Sequence, residues 1–314
     1  MTAPQDSRPL LSVVIPVLDE ADGLPELRRR LNEQLGQIDG PTEVIYVDDG
    51  SSDNSAALVE SYIADGDQAV LVGLSRNFGM DIAMSAGLDE ARGEYVAVMH
   101  ADLQDPPELI PQMLEAAREG ADVVYARRIG RDESRVKRAL ATAFYRMMER
   151  LARVPYQGQA GDFRLMSRRV VEDIRRMPER RRFLRGMVAW VGYEQVPIEY
   201  RRAGRAQGRG SSYPQLFRLA LEALTSFSDV PLSLVGYAGV LTSVLSAVAA
   251  FVLLILTIVG ALTASGYIWV LIAVLFLSGV QLMSVGVLGR YLARVHEEAL
   301  ERPLYLVDRV VRPR

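Results

Sequence analysis

Between Pro231 and Gly289 lie 59 consecutive residues without one Asp, Glu, Lys or Arg. A run of that length and composition cannot sit in water as ordinary loop or surface helix. At 1.5 Å per helical residue and a hydrocarbon core of about 30 Å, it suffices for two bilayer crossings. Leu232 to about Leu262 and Tyr267 to Leu288 are the expected spans, with Thr263–Gly266 as the turn between them. The other 255 residues of the 314 hold all 75 charges, an ordinary density for soluble protein. The chain is therefore expected to be a soluble body on a short membrane anchor, neither a channel nor a fully soluble protein.

The charges are unevenly placed. Residues 1–126 carry 24 acids against 7 bases, whereas residues 127–230 carry 11 acids against 23 bases. Arg201, Arg202, Arg205, Arg209 and Arg218 precede the first expected span, and Arg290 and Arg294 follow the second. By the positive-inside rule both ends of the anchor face the cytoplasm. Residues 213–230 read as an amphipathic helix on the membrane surface, with Leu216, Phe217, Leu219 and Leu224 on its apolar side. Small residues on both spans (Gly236, Gly239, Ala247, Gly279, Gly286) permit close helix packing and a homo-oligomer. The absence of cysteine removes disulfides, thiolate metal sites and cysteine nucleophiles. Residues Met1–Arg8 lack the pattern of a cleaved signal peptide.

Short apolar runs alternate with helical periodicity through the first 126 residues. Leu11–Pro16, Val44–Val47, Ala69–Val72, Tyr95–Met99 and Asp122–Tyr125 are apolar enough for strands buried on both faces. This predicts an α/β fold with a mostly parallel sheet and flanking helices, and ligands at the carboxyl ends of its strands. Residues 127–230 read as mostly helical, with Val196–Tyr200 as a strand.

Acidic clusters stand at those strand ends. His100-Ala101-Asp102-Leu103-Gln104-Asp105-Pro106-Pro107-Glu108 follows the fourth strand. In extended chain, residues 100, 102 and 104 point the same way, so Asp102, Gln104 and His100 can hold one divalent ion against a diphosphate leaving group. Asp105, Pro106 and Glu108 fit a capping box for the next helix. Asp48-Asp49-Gly50-Ser51 ends the second strand and, beside Pro16, Leu18, Asp19 and Glu20, forms a nucleotide cleft. Gly161-Asp162-Phe163-Arg164-Leu165 sets a carboxylate and a guanidinium among apolar neighbours, a pattern found at polar sites and in structural ion pairs alike. Arg127, Arg128, Arg135, Lys137 and Arg138 follow the fifth strand as a basic cluster that can hold a phosphate. Nucleic acid is not expected, because the acidic half would repel it. Neither a G-x-G-x-x-G after the first strand nor a P-loop is present.

Together these motifs resemble the family 2 glycosyltransferases of GT-A fold. The nearest resemblance is to membrane-anchored polyprenyl-phosphate sugar transferases, such as bacterial undecaprenyl-phosphate glucosyltransferases and dolichol-phosphate-mannose synthases. Ser12–Pro16, Val47–Ser51, Ser75-Arg76-Asn77-Phe78-Gly79, Ala101–Glu108, Gly161–Leu165, Arg182-Phe183-Leu184-Arg185-Gly186, Leu288–Leu292 and Arg302-Pro303-Leu304-Tyr305 carry it, in this order. The resemblance implies inverting transfer of one sugar from a nucleotide sugar, UDP-glucose first, to undecaprenyl phosphate at the bacterial cytoplasmic membrane. GDP-mannose or a UDP-amino-sugar is the alternative donor, and a non-catalytic scaffold of the same fold the alternative class. It assigns Pro16, Leu18, Glu20, Asp48, Asp49, Arg76 and Asn77 to the nucleotide. Asp102 and Gln104 go to a Mn²⁺ or Mg²⁺ ion, and Arg127, Arg135, Lys137, Arg205 and Ser211 to the lipid phosphate. Asp162 and Arg164 belong to the site of the attacking group. The implied layout is a cytoplasmic transferase domain over 1–212, an interfacial helix over 213–230, two spans over 231–289 and a cytoplasmic helix and strand over 290–314. Two positions depart from the family pattern: His100 stands where an Asp is usual, and Ser212 where a Lys is usual.

Overall fold

The computed structural model describes residues 8–129, 160–180, 182–201, 241, 248, 251–252, 255–256, 259 and 266–313. They fall into two compact units. The first contains the described residues up to 201 together with 302–313, and the second those from 241 to 301.

The first unit is built on one eight-stranded sheet in the order β7-β5-β6-β4-β1-β2-β3-β8. Its strands are β1 Leu11–Val17, β2 Thr42–Asp48, β3 Ala69–Leu74, β4 Tyr95–Val98, β5 Val123–Ile129, β6 Ala160–Ser167, β7 Gln195–Arg201 and β8 Val307–Val311. Six strands share one direction; β6 runs against β4 and β5, and β8 against β3. The helices are α1 Leu24–Leu35, α2 Ser55–Ala64, α3 Met80–Glu90, α4 Ile110–Arg118, α5 Arg168–Arg176 and α6 Leu184–Trp190.

Successive residues of β1 point to opposite faces, and both faces are dry. Leu11, Val13, Ile15 and Val17 pack with Leu24, Leu27 and Leu31 of α1, while Val14 packs with Ala83 and Met84 of α3. That two-sided burial is why the strand reads as an unbroken apolar run. Gly87 lets α3 press onto the sheet, since a Cβ there would stand 2.3 Å from Val14 Cγ1. Pro16 is tolerated inside β1 because the pairing with β4 ends at Val14 and Val98, so its missing N–H leaves no ladder bond unmade.

Two features differ from the sequence reading. Gly161–Leu165, in a region read as mostly helical, forms the core of β6, inside the sheet. Its charged residues hide the strand signal. β7, Gln195–Arg201, contains the expected strand Val196–Tyr200 and with β6 completes that side of the sheet. In the second unit α7, Gly266–Ala299, is one unbroken helix that continues well past Gly289. Among the described residues it alone is long and apolar enough to cross a membrane. Most of the first expected span, and all of the 213–230 helix, lie outside the described residues.

Candidate active site

The carboxyl ends of β1, β2 and β4 meet at one edge of the sheet, and their loops are stitched together by side chains. Asp19 adopts a positive φ of 54° and its Oδ1 accepts the backbone N–H groups of Ser52 at 2.7 Å and Asp53 at 3.2 Å. In return Ser51 Oγ accepts the Asp19 N–H, Ser55 Oγ the Glu20 N–H and Asp53 Oδ2 the Ala21 N–H. Asp19 is thus the staple between the first two strand ends.

Asp48 and Asp49 are both buried and do different things. Asp48 Oδ1 accepts the Ser51 N–H at 3.1 Å, tightening the turn. Asp49 reaches across to the start of α3, where its two oxygens accept the N–H groups of Phe78 at 2.7 Å and Gly79 at 2.9 Å. A carboxylate on the free N–H groups of a helix start is favourable for both partners. The turn closes only around glycine. Gly50 has φ 77°, and a Cβ there would lie 2.7 Å from the Arg76 carbonyl carbon and 2.8 Å from the Asn77 nitrogen. The Arg76 guanidinium stacks 4.0 Å over the Phe78 ring. Six of the seven residues expected at the nucleotide (Leu18, Glu20, Asp48, Asp49, Arg76, Asn77) therefore lie at or just beyond the ends of β1, β2 and β3, with Pro16 inside β1.

The loop after β4 is not extended. Asp102 Oδ1 accepts the Gln104 N–H at 3.0 Å and Leu103 takes φ 57°, so the chain bends between them and residues 100, 102 and 104 do not form one row. Asp102 is exposed and Gln104 half-buried. Nor does Asp105 cap a helix: it is buried, and its Oδ2 accepts the His100 N–H at 3.0 Å. Glu108 instead forms a two-point ion pair with Arg30. Burial, with Asp102 and Asp53 nearby, raises the Glu20 carboxyl above its usual range.

The antiparallel register of β4 and β6 completes the site. Val98 lies opposite Arg164, which sets residue 100 opposite residue 162. His100 Nε2 stands 3.1 Å from Asp162 Oδ2. Arg185, on α6, donates from Nε and Nη2 to the two oxygens of the same carboxylate. Burial by itself would raise the Asp162 carboxyl, yet the hydrogen bonds from Arg185 and His100 outweigh it and hold the group well below the usual carboxylate range. Burial likewise disfavours the His100 imidazolium, but Asp162, Asp105 and Asp102 outweigh it and raise its pKa. Arg164 is buried and turns back on its own strand, donating to the carbonyl oxygens of Gly161 at 2.9 Å and Asp162 at 3.3 Å.

Arg185 belongs to the Arg182–Gly186 segment of the family resemblance but gets no site role from the sequence, since an arginine-rich run over 180–185 suits a solvated face as well. The signal was its phase. Leu184, Met187 and Val188 of the same helix are buried, and Arg185 turns in beside them towards β6. Arg127 stands apart from this cluster on β5 and pairs with Glu199 of β7. Arg135, Lys137, Arg205 and Ser211 lie outside the described residues.

A polar hollow of about 390 Å³ lies by the C-terminal end of α3, lined in part by Arg168, Arg175 and Arg312. Arg168 and Arg175 donate there to the carbonyl oxygens of Leu88, Asp89, Ala91 and Gly93, capping the end of α3.

The pattern of the family described as Glycosyl transferase family 2 matches residues 12–175. An uncharacterized glycosyltransferase of Synechocystis is 44% identical over 300 residues, covering 95% of this chain and 94% of that protein. The bactoprenol glucosyl transferase of Shigella phage SfV is 37% identical over 299 residues, covering 95% of this chain and 97% of its own. Among solved structures, glucosyl-3-phosphoglycerate synthase from Mycobacterium tuberculosis covers 71% of this chain and 80% of its own, at 19% identity and a TM-score of 0.49.

Proposed function

The chain belongs to glycosyl transferase family 2 and is a glycosyltransferase; from that premise we propose that it moves one glucose from UDP-glucose to a polyprenyl phosphate, undecaprenyl phosphate, at the cytoplasmic face of a bacterial membrane. The observation that carries this reading is the contact of Asp162 with His100 at the end of β4, in a chain similar over 95% of its length to a bactoprenol glucosyl transferase. In the proposed step a phosphate oxygen of the lipid attacks the sugar's anomeric carbon. The bond from that carbon to the UDP diphosphate breaks, and the diphosphate leaves with the electron pair.

A phosphate monoester is already anionic at neutral pH, so the site needs to position it more than to deprotonate it. Asp162 suits that task. Arg185 occupies both its oxygens and His100 one of them, so the carboxylate is fixed and poorly basic. It orients the reacting groups and keeps a negative charge beside the developing positive charge of the sugar ring. Asp49 and Gly50 hold the 76–79 loop against the donor's nucleotide, and Asp48 with Glu20 lines the same cleft.

A divalent ion, Mn²⁺ or Mg²⁺, fits the donor set at Asp102. That carboxylate is exposed, spends Oδ1 on a backbone N–H, and among the described residues accepts nothing at Oδ2. Among the same residues no three acidic or imidazole groups converge to hold a cation alone. Asp102 and Gln104 would therefore share the ion with oxygens of the donor diphosphate, whose charge it would neutralise when bound. His100 serves Asp162 in this scheme.

The anchor is proposed as a two-span hairpin with both ends cytoplasmic, and Arg135, Lys137, Arg205 and Ser211 as ligands of the lipid phosphate, with Arg127 nearby in sequence. The test is transfer: detergent-purified chain is incubated with radiolabelled sugar nucleotides and undecaprenyl phosphate. Label from UDP-glucose entering the organic phase is the expected result. Label from GDP-mannose or a UDP-amino-sugar instead would reassign the donor, and none from any donor would leave a scaffold.

A further inference from the structure

Tail residues 302–313 return to the catalytic unit and hold one side of the donor cleft. β8 adds to the edge of β3, pairing Leu71 with Val311, Val72 with Val310, Gly73 with Arg309 and, after a shift of register, Leu74 with Val307. Beyond the strand the ladder continues into the loop, as Ser75 N–H donates to the Leu306 carbonyl at 2.9 Å. Arg76 and Asn77 come next, and their backbone is what Gly50 packs against. Phe78 and Gly79 follow, held by Asp49.

Side chains pin the same tail to α3, the helix that begins at this loop. Tyr305 Oη donates to Asp89 Oδ2 at 2.7 Å, and Arg312 Nη2 to Glu90 Oε2 at 2.5 Å. Arg309 Nη2 meets Glu60 Oε1 of α2 at 3.0 Å, with its stem lying over Gly73. The 75–79 loop is thereby fixed from two directions: by Asp49 from the centre of the sheet, and by the tail from its edge.

We infer that residues 302–313 are a positioning strap for the donor loop, setting Arg76 and Asn77 for the nucleotide. This rests on the donor reading given above. β8 pairs with β3 and is separated from β4 and β6 in the sheet by β1 and β2, so the strap acts on nucleotide affinity and leaves acceptor use alone.

The experiment compares the full chain in detergent with two variants: one ending at Glu301, and one carrying Tyr305→Phe with Arg312→Ala. UDP binding is measured by calorimetry, and KM for UDP-glucose and for undecaprenyl phosphate by transfer. The strap predicts UDP affinity lower by roughly tenfold or more in the shortened chain, and severalfold in the double variant, with acceptor KM within about twofold. A synthetic peptide of residues 302–314 should restore UDP binding to the shortened chain by adding back the edge strand. Should the shortened chain fail to fold by circular dichroism, the double variant decides. UDP affinity unchanged in a folded variant overturns the strap, as does a matching loss of donor and acceptor affinity. A wild-type chain that binds no UDP overturns the donor reading and the strap with it.

Discussion

His100 Nε2 lies 3.1 Å from Asp162 Oδ2 because β6 runs antiparallel to β4 in the register that sets residue 100 opposite residue 162. Sixty-two positions apart in sequence, the two groups are neighbours on adjacent strands. The pair gives the strand-end cleft, otherwise built from parallel strands, a carboxylate from the opposite direction.

Asp162→Asn should leave most of the fold and remove most of the activity. A carboxylate stabilising developing charge commonly contributes about 10²–10³ in kcat. Stability should fall by less than the roughly 3–5 kcal/mol of a fully buried pair, because the Arg185 side chain is 39% exposed. Steady-state transfer and thermal melting on one preparation separate the two effects.

His100→Ala and Asp102→Ala should differ in their response to metal. Loss of a hydrogen bond to a charged group costs about 1.5–3 kcal/mol, or roughly ten- to hundredfold in kcat, for His100→Ala. The metal concentration giving half-maximal rate should not move. In Asp102→Ala it should rise by about tenfold or more, and chelation should abolish transfer by the wild type. A raised metal requirement in His100→Ala would return His100 to the ion.

Asp81 supplies a pH test away from the metal. It is partly buried on α3, its Oδ1 accepts the Leu184 N–H at 3.1 Å, and burial raises its carboxyl above the usual value. A carboxyl with a raised folded pKa binds its proton more tightly in the folded state, so stability falls as pH rises through that pKa. Asp81→Asn should therefore raise the melting temperature at pH 7. The gain should shrink as pH falls and vanish well below pH 3.8, the group's ordinary value, where both states are protonated. A gain independent of pH would refute the burial argument.

Gly50→Ala should strike the donor side. The added Cβ collides with the Arg76 and Asn77 backbone in a left-handed conformation, and strain of about 1–3 kcal/mol is expected. KM for UDP-glucose should rise more than KM for the lipid. Equal effects would mean that the loop supports the whole site.

The α/β core was legible where burial is two-sided, as in β1, and where Asp-Gly or Asp-Pro turns punctuate it. Strand β6 was not, because Asp162 and Arg164 break its apolar pattern, and what satisfies them, Arg185 and His100 for the one and the strand's own carbonyl groups for the other, leaves no periodic trace. Local spacing misplaced the 100–104 row: an Asx turn and one positive φ at Leu103 redirect the chain, and neither leaves a periodic trace. Asp49 is expected at the nucleotide from its strand-end position and the family resemblance; its hold on Phe78 and Gly79 depends on a loop 29 and 30 residues away. Arg185 failed to stand out among arginines for the same reason: its meaning lies in a partner 23 residues earlier.

The edge pairing of β3 and β8 also constrains how the molecule is made. Tyr305 and Asp89 are 216 residues apart in sequence, and β8 follows α7 in chain order. On the ribosome the catalytic sheet therefore emerges with β3 as a bare, apolar edge, and keeps it until the apolar helix has been synthesised. An unpaired edge of that kind is a template for pairing with other chains. Under the proposed anchor, prompt delivery of α7 to a membrane, followed by release of the tail, favours a clean yield of folded protein, and expression without a membrane should favour aggregation through β3.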